Sequence, residues 1–255
     1  MDTIVCTQER DVLHVRLNRP EVKNAFNDVL ISEFQEVLRT LDPKIRVLIL
    51  SGEGPIFSAG ADLAWMQKSA GMSHDENVRE TKRMGALFHL LDTTHAVTVA
   101  RVQGAALGGG LGLVACCDIV VAEQNTRFGL TEVRLGLAPA VISPFVLKKM
   151  PLSAARRYFL TGEMFDANAA LSCGLVHHVC GMQDLDLAVQ DMCSKIRRGG
   201  PEAVKTAKKL IADVAGKPAF DVSDMTAEII ATLRTSPEAL EGLGAFLQKR
   251  DPQWM

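Results

Sequence analysis

Three consecutive glycines, Gly108-Gly109-Gly110, interrupt the apolar stretch Val102-Gln103-Gly104-Ala105-Ala106-Leu107-Gly108-Gly109-Gly110-Leu111-Gly112-Leu113. Glycine is costly in chain entropy and opens a helix poorly, so three together point to a tight turn or a close backbone approach. The stretch follows a strand-like run, Val97 to Val102, and leads into a helix-like one. A helix N-terminus carries unpaired N–H donors and a partial positive charge, so this turn suits an oxygen that bears or develops negative charge. A glycine-lined contact between strand and helix, with no ligand, would use the same residues.

The remaining elements arrange themselves around that turn. Ile4-Val5 and the alternating run Val12 to Leu17 predict an N-terminal hairpin. Ala25 to Leu41 predicts a helix, with Phe26, Leu30, Phe34, Val37, Leu38 and Leu41 at helical spacing and Asp42-Pro43 as its stop. The continuous apolar run Val47 to Leu50 predicts a strand buried on both faces, as in parallel sheets. Small residues lead into a helical segment again at Ile56 to Met66, followed by an amphipathic helix over Asp75 to Leu91 and a buried strand over Asp118 to Ala122. This recurrence of strand, small-residue turn and helix favours a layered α/β fold. Beyond Pro139 the pattern is mostly helical, over Ser143 to Met150, Ser153 to Leu160, Ala167 to Ser172, Asp184 to Arg198, Pro201 to Val214, Phe220 to Arg234 and Pro237 to Gln248. The last of these helices are too amphipathic to stand alone and should pack on the main body or on another subunit.

Several function classes are disfavoured. A net charge of -2, one Tyr and two Trp leave neither a basic footprint nor aromatic platforms for nucleic acid. The start of the chain lacks a basic segment followed by an apolar one, and no apolar run reaches membrane-spanning length, so a cytoplasmic protein with no membrane partner is expected. The six cysteines include no C-x-x-C pair, and His177-His178 are adjacent rather than a turn apart, so free thiols and no metal site are expected. The dinucleotide fingerprint fails at Leu113, the P-loop at Pro218, and no G-x-S-x-G nucleophile elbow occurs.

One carboxylate sits in an unusual setting. Glu132, in Phe128-Gly129-Leu130-Thr131-Glu132-Val133, lies three residues beyond a glycine among apolar neighbours, which can shift a carboxyl into a general acid/base role. The plainer alternative places Glu132 in the first turn of a helix capped by Thr131, where an acid complements the dipole.

Taken in order, Phe57-Ser58-Ala59-Gly60-Ala61-Asp62-Leu63, Gly104 to Gly110, Cys117-Asp118-Ile119 and Phe128 to Glu132 resemble the successive signatures of the enoyl-CoA hydratase/isomerase (crotonase) family along nearly the whole chain. Arg19-Pro20 and Phe246 to Arg250 resemble that family's ends. The resemblance implies a spiral of ββα units over residues 1–195, followed by a C-terminal helical trimerisation region over 196–255. It implies a trimer or a hexamer built as a dimer of trimers, acting on an acyl-coenzyme A thioester, with coenzyme A part of the substrate and no separate cofactor. By position, the backbone N–H groups of Ala61 and Gly109 would form an oxyanion hole for the thioester carbonyl, and Glu132 would be the catalytic carboxyl. Gly108, Ala59, Asp62 and Leu63 would lie along the substrate and its pantetheine and adenine. Lys23 and Ala25 resemble coenzyme A contacts, and Lys249 a basic residue reaching the nucleotide from a neighbouring subunit.

The family's hydratases commonly carry a second glutamate three residues after the oxyanion-hole glycine, and here that position is Gly112. A single Glu132 suits hydration of a 2-enoyl thioester and equally a Δ3-Δ2 isomerase, in which one base moves a proton between C4 and C2. Gly112 is expected to leave room beside the acyl group. Together with Leu137 to Pro144 it resembles bacterial hydratases of leucine and acyclic-terpene breakdown, acting on 3-methylglutaconyl-CoA or its isohexenyl analogue. Arg79, Lys82 and Arg83 are then candidate partners for a second substrate carboxylate, with a solvated helix face as the alternative. A non-catalytic acyl-CoA-binding or RNA-binding relative is the remaining reading.

Overall fold

The computed structural model describes residues 1–255. Strands β1 (Ile4–Glu9) and β2 (Val12–Leu17) form the expected antiparallel hairpin, with Ile4 opposite Leu17. Helix α1 (Asp28–Arg39) is capped by Asn27, whose side chain accepts from Leu30 N at 2.9 Å, and it buries Leu30, Ile31, Phe34, Val37 and Leu38. It starts later than its apolar spacing suggests because Ala25 and Phe26 are held in a loop, where Phe26 N donates to Gly60 O at 2.7 Å. Strand β3 (Val47–Gly52) and helices α2 (Leu63–Ala70) and α3 (His74–Thr93) follow. A capping box between Ser73 and Glu76 starts α3.

Strand β4 (Val97–Val102) leads through β5 (Ala105–Leu107) into α4 (Gly109–Cys116), then β6 (Ile119–Glu123) and β7 (Arg127–Gly129). After these come α5 (Ser143–Lys149), α6 (Leu152–Thr161), β8 (Met164–Asp166), α7 (Ala167–Ser172) and β9 (His178–Cys180). Four helices close the chain: α8 (Leu185–Arg197), α9 (Pro201–Val214), α10 (Ser223–Arg234) and α11 (Pro237–Leu247). The boundary expected between 195 and 196 falls inside α8. The helix expected from Phe220 splits into a 3-10 turn, Ala219–Val222, and α10.

The main sheet has the order β1-β2-β3-β4-β6-β9, antiparallel only between β1 and β2. Parallel strands need both faces covered, and alternate residues divide the work. Val47 and Ile49 join Val99 and Val121 against Leu185, Val189 and Cys193 of α8. Leu48 and Leu50 face the larger core, which contains Phe26, Phe34, Phe57, Phe88 and Phe128. A second sheet, β5-β7-β8, is made of three-residue strands too short to show an alternation in the sequence. Helix α9 docks on the body through Lys208, whose Nζ donates to Ala96 O at 2.8 Å and to Asp118 Oδ2 at 2.6 Å. Within the single chain α9 and α10 bury no residue and α11 buries only Ala245, while Phe220, Leu240, Leu243, Phe246 and Leu247 are exposed.

All six cysteines are free thiols; Cys116, Cys117, Cys173 and Cys193 are buried, and burial pushes the Cys117 thiol up to about 12. No helix is long and apolar enough to cross a membrane.

Candidate active site

The site is assembled by one loop stitched between two others. Ser58 N donates to Ala105 O at 3.1 Å and Leu107 N to Ser58 O at 3.0 Å, which lays residues 57–59 against β5. On the other side Ala59 N donates to Lys23 O at 2.9 Å and Asp62 N to Phe26 O at 2.9 Å, so that Phe26 and Ala61 pair as an isolated parallel bridge. The Ala61 N–H takes no part in these bonds and finds no acceptor in the chain. Gly60, at φ +91, brings this loop against the glycine run: a Cβ there would lie 2.7 Å from Leu107 O and 3.4 Å from Gly109 N. Only glycine allows that approach.

Gly109 opens α4, so its N–H has no intrahelical acceptor. Gly108 precedes it at φ +49, and its own N–H donates to Gly129 O at 2.9 Å. That bond carries β7, and with it Glu132, to the start of α4. A Cβ on Gly108 would lie 3.1 Å from Glu132 Oε1, so the carboxylate rests directly against bare backbone. Glu132 stands in a five-residue 3-10 turn, Thr131–Leu135, which begins after Leu130 with no side-chain cap. The first-turn placement is thus met and the Thr131 cap is not. Glu132 Oε2 is buried with no hydrogen-bond partner in the chain, and burial raises the carboxyl above the ordinary glutamate range. Two backbone donors without acceptors and one desolvated carboxyl therefore share one neighbourhood, an arrangement able to stabilise a developing oxyanion and to move a proton beside it.

Gly112 departs from expectation. Its space is filled, because a Cβ there would collide with Ile142 Cγ2 and lie 3.0 Å from Phe88 Cε1. The room expected beside the acyl group is occupied by these two buried side chains.

The peripheral residues divide. Lys23 is exposed in a left-handed conformation with no ion-pair partner, Leu63 is 69% exposed, Ala59 is half-buried and Ala25 is buried. Asp62 has both oxygens engaged: Oδ1 accepts from Ala64 N at 2.9 Å at the start of α2, and Oδ2 from Arg19 Nη2 at 2.9 Å. Burial acts to raise this carboxyl, but the Arg19 hydrogen bond and the Ala64 and Trp65 N–H groups outweigh it and hold the carboxyl low. Lys249 is exposed beyond α11, which packs on α10 and caps the start of α9 through Glu238. Arg79 and Lys82 are exposed on α3, and Arg83 Nη2 is committed to Ser32 Oγ at 2.7 Å. The solvated-face alternative for these three cations is the better description.

Sequence reading missed Arg19, Asn24 and Ser58 as site residues. Each supports the loop that carries Ala61. The only signal available was a polar residue in an otherwise apolar or turn-rich segment.

Comparisons with known proteins agree on one family pattern. Residues 7–255 match the pattern described as enoyl-CoA hydratase/isomerase. The chain is 31% identical to the 2,3-dehydroadipyl-CoA hydratase of Escherichia coli K12, covering 100% of this chain and 99% of that protein. It is 26% identical to a trans-2-decenoyl-[acyl-carrier-protein] isomerase of Streptococcus mutans, covering 98% and 97%. Among solved structures, an enoyl-CoA hydratase of Shewanella pealeana superposes with a TM-score of 0.94 at 41% identity, covering 99% of this chain and 96% of the other.

Proposed function

The chain belongs to the enoyl-CoA hydratase/isomerase family, and from that premise we propose that it adds water across the 2,3 double bond of an enoyl-coenzyme A thioester. The observation that carries this reading is the desolvated, unpartnered Glu132 carboxyl resting against Gly108, beside the acceptor-free N–H groups of Ala61 and Gly109. The thioester oxygen accepts from those two donors. Glu132 takes a proton from water as the oxygen of that water bonds to C3, and charge moves to the thioester oxygen as an enolate. The same carboxyl then returns the proton to C2 on the same face, giving syn addition. Donors fixed before the reaction need no reorganisation as charge develops, and losing one typically costs about 3–4 kcal/mol.

The coenzyme A moiety is assigned to Lys23, Ala25, Ala59, Leu63 and Gly108, with the unpaired Lys23 supplying charge for a phosphate, and Lys249 acts from a second copy. Assembly as a trimer or a dimer of trimers is supported by the apolar, unburied faces of α9 to α11. A branched acyl group of the 3-methylglutaconyl type is supported by the Leu137 to Pro144 segment alone, since Ile142 occupies the room at Gly112.

A second reading follows from that same Ile142. With an apolar side chain filling the place of a second carboxylate, Glu132 alone can also take a proton from C4 of a 3-enoyl thioester and return it at C2. Incubation in heavy-oxygen water with crotonyl-CoA, 3-methylglutaconyl-CoA and a 3-enoyl-CoA, followed by mass spectrometry, separates the two. Label in a 3-hydroxyacyl product is expected; an unlabelled 2-enoyl product, with no hydration of either 2-enoyl substrate, would assign the isomerase instead.

A further inference from the structure

Resting on the reading that Ala61 N–H receives the thioester oxygen, we propose that Arg19 and Asp62 are positioning residues that aim this donor. The bridge between Phe26 and Ala61 fixes which way the Ala61 N–H points. The Arg19 guanidinium links the two segments of that bridge. Its Nη1 donates to Ala25 O at 2.6 Å, one residue before Phe26, and its Nη2 to Asp62 Oδ2 at 2.9 Å, one residue after Ala61. Both side chains are largely buried, 15% and 14% exposed, so solvent screens the pair little. Asp62 also accepts from Ala64 N at 2.9 Å and Trp65 N at 3.4 Å, so the same carboxylate that holds the guanidinium starts α2.

The rest of the loop is fixed by two fully buried polar residues. Asn24 Oδ1 accepts from Arg19 N at 2.9 Å, and its Nδ2 donates to Glu53 O and Ile56 O, each at 2.8 Å. Ser58 Oγ donates to Asn24 O at 2.9 Å and accepts from Gly60 N at 3.2 Å. Lys23 and Asn24 lie consecutively at φ +57 and +54, a conformation side chains rarely adopt and one that persists only when surrounding bonds impose it. The network therefore holds a strained turn on one side of the bridge and a helix start on the other. Displacing an aligned group by 1 Å costs about a hundredfold in rate, so a pair that sets the bridge sets the rate without touching substrate.

The test uses a conjugated 2,4-dienoyl-CoA, whose absorption moves to longer wavelength when its thioester carbonyl is polarised, bound to Glu132→Gln protein so that no turnover occurs. Glu132→Gln is expected to bind it with a clear red shift. Adding Arg19→Met or Asp62→Asn should remove most of the shift while the dissociation constant stays close to the parent's. With Glu132 intact, the same variants should lower kcat about a hundredfold and change KM little, and Arg19→Lys should fall between. Full retention of the shift in both double variants would overturn the proposal and leave the oxyanion hole standing. Binding of the probe to Glu132→Gln without any shift would overturn the oxyanion hole and this proposal together. Should Arg19→Met fail to fold, Asp62→Asn decides, because its remaining oxygen can still accept from Ala64 N.

Discussion

Ile142 stands where a side chain on Gly112 would have to go. A Cβ on Gly112 would collide with Ile142 Cγ2 and lie 3.0 Å from Phe88 Cε1. Gly112 N donates to Gly108 O at 3.0 Å, so Gly112 lies one turn along α4 from the backbone against which Glu132 rests. The carboxylate thus faces a site whose next turn is lined by hydrocarbon rather than by a second acid.

Installing that second acid should fail. Gly112→Glu forces volume into a filled core, which costs about 1–3 kcal/mol, and buries an unpaired charge as well. Thermal unfolding should occur at lower temperature, and enoyl-CoA hydration should slow rather than quicken. Adding Ile142→Ala should recover stability relative to Gly112→Glu alone; no recovery would mean that Ile142 is not the obstacle.

Burial raises the Glu132 carboxyl, and the sign of the consequence follows from that direction. The fold favours the protonated form, so burial costs nothing below the unfolded carboxyl's pKa and its full amount once pH exceeds the raised value in the fold. Glu132→Gln should therefore raise the melting temperature at neutral pH, with the gain vanishing as pH falls below the ordinary glutamate range. In the unaltered protein, kcat/KM for hydration should fall on acidification at a pH above that range, because the base must be ionised to act. A melting difference independent of pH would contradict the assignment of burial as the cause.

Much of the fold was legible in the sequence because periodicity reports burial directly. The helix expected over Pro201 to Val214 is α9 residue for residue, and the apolar run Val47 to Leu50 lies buried on both faces in β3. The three-residue strands of the second sheet were not legible, since each forms only through partners distant in the chain. The same applies to the support of Ala61, which joins residues 19, 24, 58 and 62. Gly112 misled because a sequence shows that a side chain is missing but not that Ile142 has filled its place.

Lys208 ties the C-terminal helices to the sheet. Its side chain is 13% exposed, and Asp118 also accepts from Thr98 N at 2.7 Å and Thr98 Oγ1 at 2.9 Å. Lys208→Met takes this donor from the Ala96 carbonyl and the cation from Asp118 Oδ2, which keeps its two Thr98 donors, at a cost of about 1–3 kcal/mol. Calorimetry should show a lower melting temperature, with kcat little changed in protein that remains folded.

Leu240, Leu243 and Leu247 repeat at helical spacing along α11, and with Phe246 they are between 60% and 80% exposed. In the proposed assembly this exposed apolar surface is the contact between copies. Leu243→Glu with Leu247→Glu should shift the protein from an assembly toward single chains in light scattering after size exclusion. An unchanged mass would remove this face from the assembly.

The most direct test of the whole account is steady-state turnover of Glu132→Gln on crotonyl-CoA and 3-methylglutaconyl-CoA, alongside titration with a saturated acyl-CoA. General acid/base catalysis by a positioned side chain contributes about 10²–10⁴-fold. In Glu132→Gln, kcat should fall by at least that much for whichever substrate the unaltered protein turns over, with acyl-CoA affinity nearly intact. Turnover equal to that of the unaltered protein would contradict the role given to Glu132.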